Sequence, residues 1–482
     1  MSSESISPIP WDLFSPSIRR LAVAFRVRPE LLLTYLTSAI GGVSGSQSRL
    51  AGGNGEFYSP ALPMILAVRH PGVALKLQTL AIEPAQRFDD SRRHGAHAII
   101  PEKYEEFTCT PLSPRQNSHL EIANSADPLS ARQIKTLELL KTVYEPALLI
   151  TAPEPSSFSA VAAGVFDSSP LVFDPGGRVI RKAIQAGPKQ KAWAELLETL
   201  GAGARGGADL IRERSDSYHR LQRLHSPFLL HLPAEVMGAA LHHPSSADLM
   251  ECAVTVPTER ISSENLPPRE THTNLEGALS DLNGLIQDVL WARLSSSGVS
   301  SKPKQLPPEW DEHLEYIESR IDALPSHIRR FCGGLYGLPQ RFLWTVLAME
   351  EPDPPDLTKQ HTPEASPYLE GAIATAHWCV DQQIALIKTG LEEERLRQLQ
   401  QSALVMVQKL KSMTTPAKFS DLARRYHIQS RELHLPILEL LEQEGVLSWD
   451  SDARLIRLRP DRANAWVAGL DQGSPGISSL DR

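Results

Sequence analysis

The chain has 482 residues, of which 41% are hydrophobic and 22% charged, and a formal net charge of -8. That length exceeds what one core sustains and implies roughly two to four domains, while the composition excludes fibrous and wholly disordered classes. The acidic balance also excludes a protein that coats nucleic acid over its whole surface, because phosphate binding needs an excess of Lys and Arg; any basic surface is local.

The opening MSSESISPIPWDLF lacks the basic and apolar regions of a secretory signal. Helical spacing appears at Ser17 to Phe25 and at Glu30 to Ile40, with Pro29 where a helix start tolerates it. The most apolar helix, near Leu31 to Val43, contains Thr34, Tyr35, Thr37 and Ser38 and is shorter than the ~18 to 20 residues that span a bilayer. A cytoplasmic protein without a membrane partner is expected. Short apolar runs follow at Met64 to Val68, Ala147 to Thr151, Leu171 to Asp174, Pro227 to Leu232 and Ala253 to Pro257. Alternating with helical patterns, they predict an α/β domain with a largely parallel sheet over residues 1 to 270. Asp90 to Leu129 is polar and Pro-containing and reads as an insertion or loop.

From about Asn274 the pattern is helical, with Leu275, Leu279, Leu282, Ile286 and Val289 on one face. Helices are expected over Glu309 to Ala323, Pro325 to Met349 and Pro367 to Gln400, making an all-α domain of residues 271 to 400. In residues 401 to 460, helices at 402–413, 419–428 and 430–445 precede two strands around Asp450-Ser451-Asp452, the order of a winged helix-turn-helix. Residues 461 to 482 read as a disordered tail. The cysteines Cys109, Cys252, Cys332 and Cys379 lie far apart, which argues for reduced thiols and against a zinc ribbon. No metal-ligating histidine spacing or hydrolase elbow occurs, so no metal site is expected.

Three stretches bear on phosphate chemistry. In ILAVRHPGVALKLQTL (65 to 80) a strand, a Pro-Gly turn and a helix follow in the order of a phosphate loop. Such a loop uses glycines so that consecutive N–H groups wrap a phosphate, a lysine to neutralise it and a hydroxyl to hold Mg²⁺. With Lys76 as that lysine, His70 and Leu75 stand at the glycine positions and Leu77 at the hydroxyl; Gly72 is the one glycine left. In LVFDPGG (171 to 177) Asp174 ends an apolar strand as a Walker B aspartate does, but Pro175 follows where a glutamate commonly polarises water. GAGARGG (201 to 207) contains GxGxxG after a helix and not after a strand, and reads as a mobile loop.

The winged-helix segment 401 to 460 carries nine Lys/Arg against seven Asp/Glu. Arg424 and Arg425 on the second helix, Arg431 at the start of the third, and the wing residues Arg454, Arg457 and Arg459 are the candidate DNA contacts. Glu432 at the third helix start and Pro436, expected to kink that helix, weigh against them. DNA contact and a protein-protein role are both open readings.

In order, PELLLTYLTSAIGGVSG, ALPMILAVRHPGVALK, ALLITAPEPSSFSAVAAG, PLVFDPGG, HSPFLLHLPAEVMGAAL, LPQRFLWTVLAM and YLEGAIATAHWCVDQQIAL resemble a family of phage- and plasmid-associated primase-helicase-like proteins. The resemblance covers roughly residues 10 to 460. It implies a P-loop (RecA-like) ATPase core, a helical region and a C-terminal winged helix. Here the phosphate loop, the acidic pair and the arginine that members carry near LMECAVTVP (249 to 257) are all altered, with Glu251 and Cys252 in the last stretch. Gly72, Lys76 and Asp174 are then vestiges of a nucleotide site. The resulting expectation is a pseudo-ATPase without cofactor or catalytic residues that binds DNA, a partner protein or itself. The alternatives are an ATP- and Mg²⁺-dependent helicase or primase-associated motor, and a structural subunit of a larger assembly.

Overall fold

A computed structural model describes residues 9–45, 50–51, 57–96, 148–155, 158, 170–185, 191–205, 208–214, 217–224, 227–259, 275–295, 309–350, 368–413, 416–426 and 434–473. The chain forms two compact units, Met1–Gly390 and Leu391–Arg482.

In the first unit, helix α1 (Pro16–Phe25) opens on Ser15, whose hydroxyl accepts the Ile18 N–H at 3.4 Å. Pro16 sits in the first turn, where its missing N–H leaves no bond unmade. The helix closes on Arg26 in the left-handed region, φ 53°. Every residue of α2 (Pro29–Val43) is buried, which accounts for its apolar sequence without a membrane. Among the described residues no helix is long and apolar enough to cross a membrane.

The sheet follows as β1 (Met64–Val68), α3 (Pro71–Ala96), β2 (Leu149–Thr151), β3 (Leu171–Asp174), α4 (Arg178–Gln185), α5 (Lys191–Ala204), β4 (Phe228–Pro233), α6 (Met237–His242), α7 (Pro244–Cys252) and β5 (Val254–Pro257). Its five strands are all parallel in the order β2-β3-β4-β1-β5, the expected α/β core. On β4, His231 bonds Tyr35 of α2, while Leu232 meets Gly177, just ahead of α4. Neighbouring strand residues point to opposite faces, so α2 and the start of α4 cover opposite sides of the sheet. Gly177 has φ 58°, and a Cβ there would lie 2.8 Å from the His231 carbonyl oxygen, so both its conformation and its surroundings require glycine.

Residues 90 to 96, expected to begin an insertion, continue α3; 97 to 129 lie outside the described residues. The expected loop at GAGARGG is in part helix. Gly201 and Gly203 are buried within α5, and a Cβ on Gly201 would lie 3.1 Å from the backbone of Leu249, so this glycine lets α5 approach α7 closely. Gly206 and Gly207 lie outside the described residues. An antiparallel ribbon of Ala208–Arg214 and Ser217–Leu224 then forms a sheet of its own, in a stretch where periodicity assigns no strand.

Helices α8 (Leu275–Ser295), α9 (Glu309–Asp322), α10 (Leu338–Glu350) and α11 (Leu369–Lys411) complete the helical part. α8 packs against α1, α2 and α3, and α10 against α2, so the expected boundary at 270 does not separate compact units. The helix expected over Pro325 to Met349 is interrupted by Gly337 at φ 70°. α11 joins the two helices expected over 367–400 and 402–413. Its Gln383 lies against the edge strand β5, where the amide accepts the Thr255 N–H at 2.9 Å and donates to the carbonyls of Ala253 at 3.2 Å and Phe331 at 2.5 Å. Gln383 thereby satisfies one N–H on the outer edge of β5 and the carbonyl just ahead of the strand.

The second unit contains the end of α11, the two-residue strand Ala417–Lys418, α12 (Phe419–Tyr426), α13 (Leu435–Gln443), β6 (Leu447–Asp450), β7 (Leu455–Leu458) and α14 (Pro460–Gly473). β7 is the middle of a three-stranded antiparallel sheet, between Ala417–Lys418 and β6. Met406, Val407, Leu410, Leu422, Leu438, Leu441 and Ile456 form its core. Pro436 lies in the first turn of α13 and not in its interior, so no kink arises. The expected disordered tail is likewise corrected: residues 461 to 473 belong to α14, which buries Ala463 and packs Trp466 and Val467 on the core. Residues 474 to 482 lie outside the described residues.

Candidate functional site

In an open parallel sheet, ligands lie outside the carboxyl ends of the strands where the chain changes winding direction. Here the chain leaves β1 for the far edge at β2, returns through β3 to β4, and crosses β1 to reach β5. The carboxyl ends of β1 and β4 are therefore the place to look, and β1 is the strand of the phosphate-loop candidate.

Only Arg69 and His70 separate β1 from α3. Both of their N–H groups donate to one oxygen, Thr258 Oγ1, at 2.8 Å each. Thr258 is fully buried just past β5, and its own N–H donates to the Ala67 carbonyl at 2.9 Å. Pro71 has no N–H, and those of Val73 and Ala74 return to the His70 carbonyl at 3.0 and 3.3 Å. Gly72 is exposed, with open space where a Cβ would stand. A phosphate cradle needs several converging N–H groups, and here the connection directs its own into the fold.

The other residues expected to be vestiges of a nucleotide site also have structural partners. Lys76 is exposed on α3, and its Nζ donates to the Phe25 carbonyl at 2.9 Å, a cation at the C-terminal end of α1. Leu77, at the position of the metal-binding hydroxyl, is fully buried. Asp174 is buried; its Oδ1 accepts the Gly176 N–H at 3.2 Å and its Oδ2 the Val179 N–H at 2.8 Å. The carboxylate thus organises the turn into α4.

Three participants are absent from the sequence reading. Thr258 is one, and no local signal marks a hydroxyl that serves residues 188 and 189 positions away. Arg28 bonds Glu259 at 2.7 Å and Glu30 at 3.1 Å and lies over the Trp378 ring at 5.6 Å. His231 is buried between Tyr35, whose hydroxyl is 2.9 Å from its Nε2, and the edge of Phe173. Burial lowers the His231 pKa to about 4 and raises that of Tyr35 well above its ordinary value, so both are neutral at pH 7. Cys252, Cys332 and Cys379 are free thiols whose pKa values burial pushes to about 12, 11 and 12. Among the described residues no group of three His, Cys, Asp or Glu side chains is placed to hold a metal ion.

In the second unit, Arg457 and Arg459 are exposed and alternate with the buried Ile456 and Leu458, which sets both arginines on the outer face of the hairpin. Arg454 is exposed at φ 54°, and its carbonyl accepts the Phe419 N–H at 3.0 Å. Arg424 is exposed on α12, which also contains Arg425; the side chain of Arg425 and the whole of Arg431 and Glu432 lie outside the described residues. Two of the acidic residues serve the hairpin backbone. Glu442 accepts the Trp449 N–H at 3.0 Å, and Asp450 accepts those of Asp452 and Ala453 at 3.1 and 2.8 Å. No family model matches the chain, and no curated protein matches it significantly.

Proposed function

We propose that the chain is a non-catalytic, P-loop-like protein that binds DNA through a C-terminal winged helix, as a pseudo-ATPase relative of the primase-helicase-like proteins of mobile elements. One observation carries the reading. The two N–H groups between β1 and α3 are held by Thr258, so the segment that would wrap a phosphate is a joint between β1 and β5. The engagement of Lys76 by the Phe25 carbonyl and of Asp174 by two backbone N–H groups supports it. The DNA half of the proposal rests on Arg457 and Arg459 sharing an outer face on which no described carboxylate pairs with them.

Fluorescence anisotropy of a short duplex across a salt series tests this reading. Wild-type protein is expected to bind weakly and with strong salt dependence, and Arg457→Ala with Arg459→Ala to flatten the log-log slope by about two units. Superimposable curves, or no binding at low salt, would transfer the domain to a protein-protein role.

A further inference from the structure

Helix α1 closes in a Schellman arrangement, in which the Val27 N–H returns to the Ala22 carbonyl at 3.0 Å and the Arg26 N–H to the Val23 carbonyl at 3.2 Å. The residue that this arrangement holds in the left-handed region is usually glycine, and here it is Arg26, at φ 53° and ψ 48°. A side chain in that conformation costs free energy that glycine avoids. The exposed guanidinium returns nothing to the fold, since it has no hydrogen-bond or ion-pair partner among the described residues.

Two further cations stand around the same α1–α2 connection. The Lys76 Nζ meets the Phe25 carbonyl at 2.9 Å, which sets its charge beside Arg26 and against a carbonyl, not a carboxylate. Arg69 is exposed at the end of β1, and its side chain too has no partner among the described residues. Its N–H is held by Thr258, and the next residue, Glu259, bonds Arg28, two positions on from Arg26. Glu30 bonds Arg28 as well, at 3.1 Å. Both of these carboxylates are thus taken by Arg28, and neither neutralises Arg26, Arg69 or Lys76.

The geometry points to Arg26, Arg69 and Lys76 as a second nucleic-acid contact, a surface of the first unit that meets the phosphates of a duplex independently of the winged helix. Each cation stands on a different segment, at the end of α1, the end of β1 and the second turn of α3, so hydrogen-bonded backbone sets their spacing. On a chain of net charge -8, a polyanion needs such a local group of cations to approach. A protein partner is held chiefly by clustered apolar anchors, and Leu75 is the one large apolar side chain described as exposed on α3. Arginine and lysine suffice for phosphate oxygens, which favours a duplex over an acidic protein segment.

The test uses the full chain, a short duplex and a salt series, with thermal melts of each variant. Arg26→Gly with Arg69→Ala is expected to flatten the salt slope by about two units, whereas Arg87→Ala, about 16 Å further along α3, leaves it unchanged. Arg26→Gly alone is expected to raise the melting temperature, because glycine removes the backbone strain. A melting temperature that stays or falls would show that the side chain serves the fold, and would overturn the inference. An unchanged slope in the double variant also overturns it, as does an equal loss in Arg87→Ala, which would report general charge. Polyglutamate binding that the double variant loses while its DNA curve stays intact overturns it in favour of an acidic protein partner. Loss in Arg457→Ala with Arg459→Ala and none in Arg26→Gly with Arg69→Ala would leave the winged-helix reading standing and remove this one; the reverse pattern would do the opposite.

Discussion

Thr258→Val is expected to lower stability by about 2–3 kcal/mol, whereas Thr258→Ser leaves it nearly unchanged. Valine has almost the shape of threonine and removes only the oxygen, so the N–H groups of Arg69 and His70, both now held at 2.8 Å, lose their acceptor together. Each unsatisfied donor in a partly buried site costs about 1–3 kcal/mol, and solvent access at this rim keeps the sum below the upper limit. Urea denaturation of the wild type and both variants measures the difference. A valine variant as stable as the wild type would show that the N–H groups find water or another acceptor, and that the connection is free for a ligand.

The second large effect concerns pH. Unfolded histidine titrates near 6.5, and burial holds folded His231 at about 4. Between those values the unfolded chain binds a proton that the folded chain does not, so this contribution to stability rises with pH. It is fully present above about 6.5 and is lost as pH falls toward 4, a change on the order of 3 kcal/mol. His231→Gln keeps a neutral partner for the Tyr35 hydroxyl and removes the titration. Denaturation at pH 7.5 and pH 4.5 is therefore expected to show the variant gaining on the wild type as the solution is acidified. Parallel losses in the two proteins would mean that His231 is not the acid-sensitive group.

The five strands of the core were legible because parallel strands buried on both faces read as unbroken apolar runs; MILAV and LVFD match their strands residue for residue. The departures of ILAVRHPGVALKLQTL from a phosphate-loop pattern were legible too, since the missing glycines and the leucine at position 77 are local facts. The contacts that tie this connection into the fold were not. Thr258 acts on residues 188 and 189 positions away and Gln383 on Thr255, 128 away, contacts that only the folded chain reveals. The ribbon escaped because ADLIRER and SYHRLQRL mix charged with apolar residues and hold neither an unbroken apolar run nor a sustained alternation. α14 escaped because the Gly- and Ser-containing end of the chain masks the spacing of Ala463, Trp466 and Val467. Pro436 misled for the opposite reason, since its effect depends on where α13 begins.

The central claim is that the junction of β1 and α3 is a structural joint and not a nucleotide site. Calorimetric titration of the full chain with Mg²⁺-ATP, followed by phosphate release with and without DNA, tests it most directly. The account predicts no saturable binding with Kd below about 1 mM, no DNA-stimulated phosphate release, and titrations of Lys76→Ala that overlay the wild type. Saturable binding with DNA-stimulated turnover, both abolished in a folded Lys76→Ala protein, would contradict it.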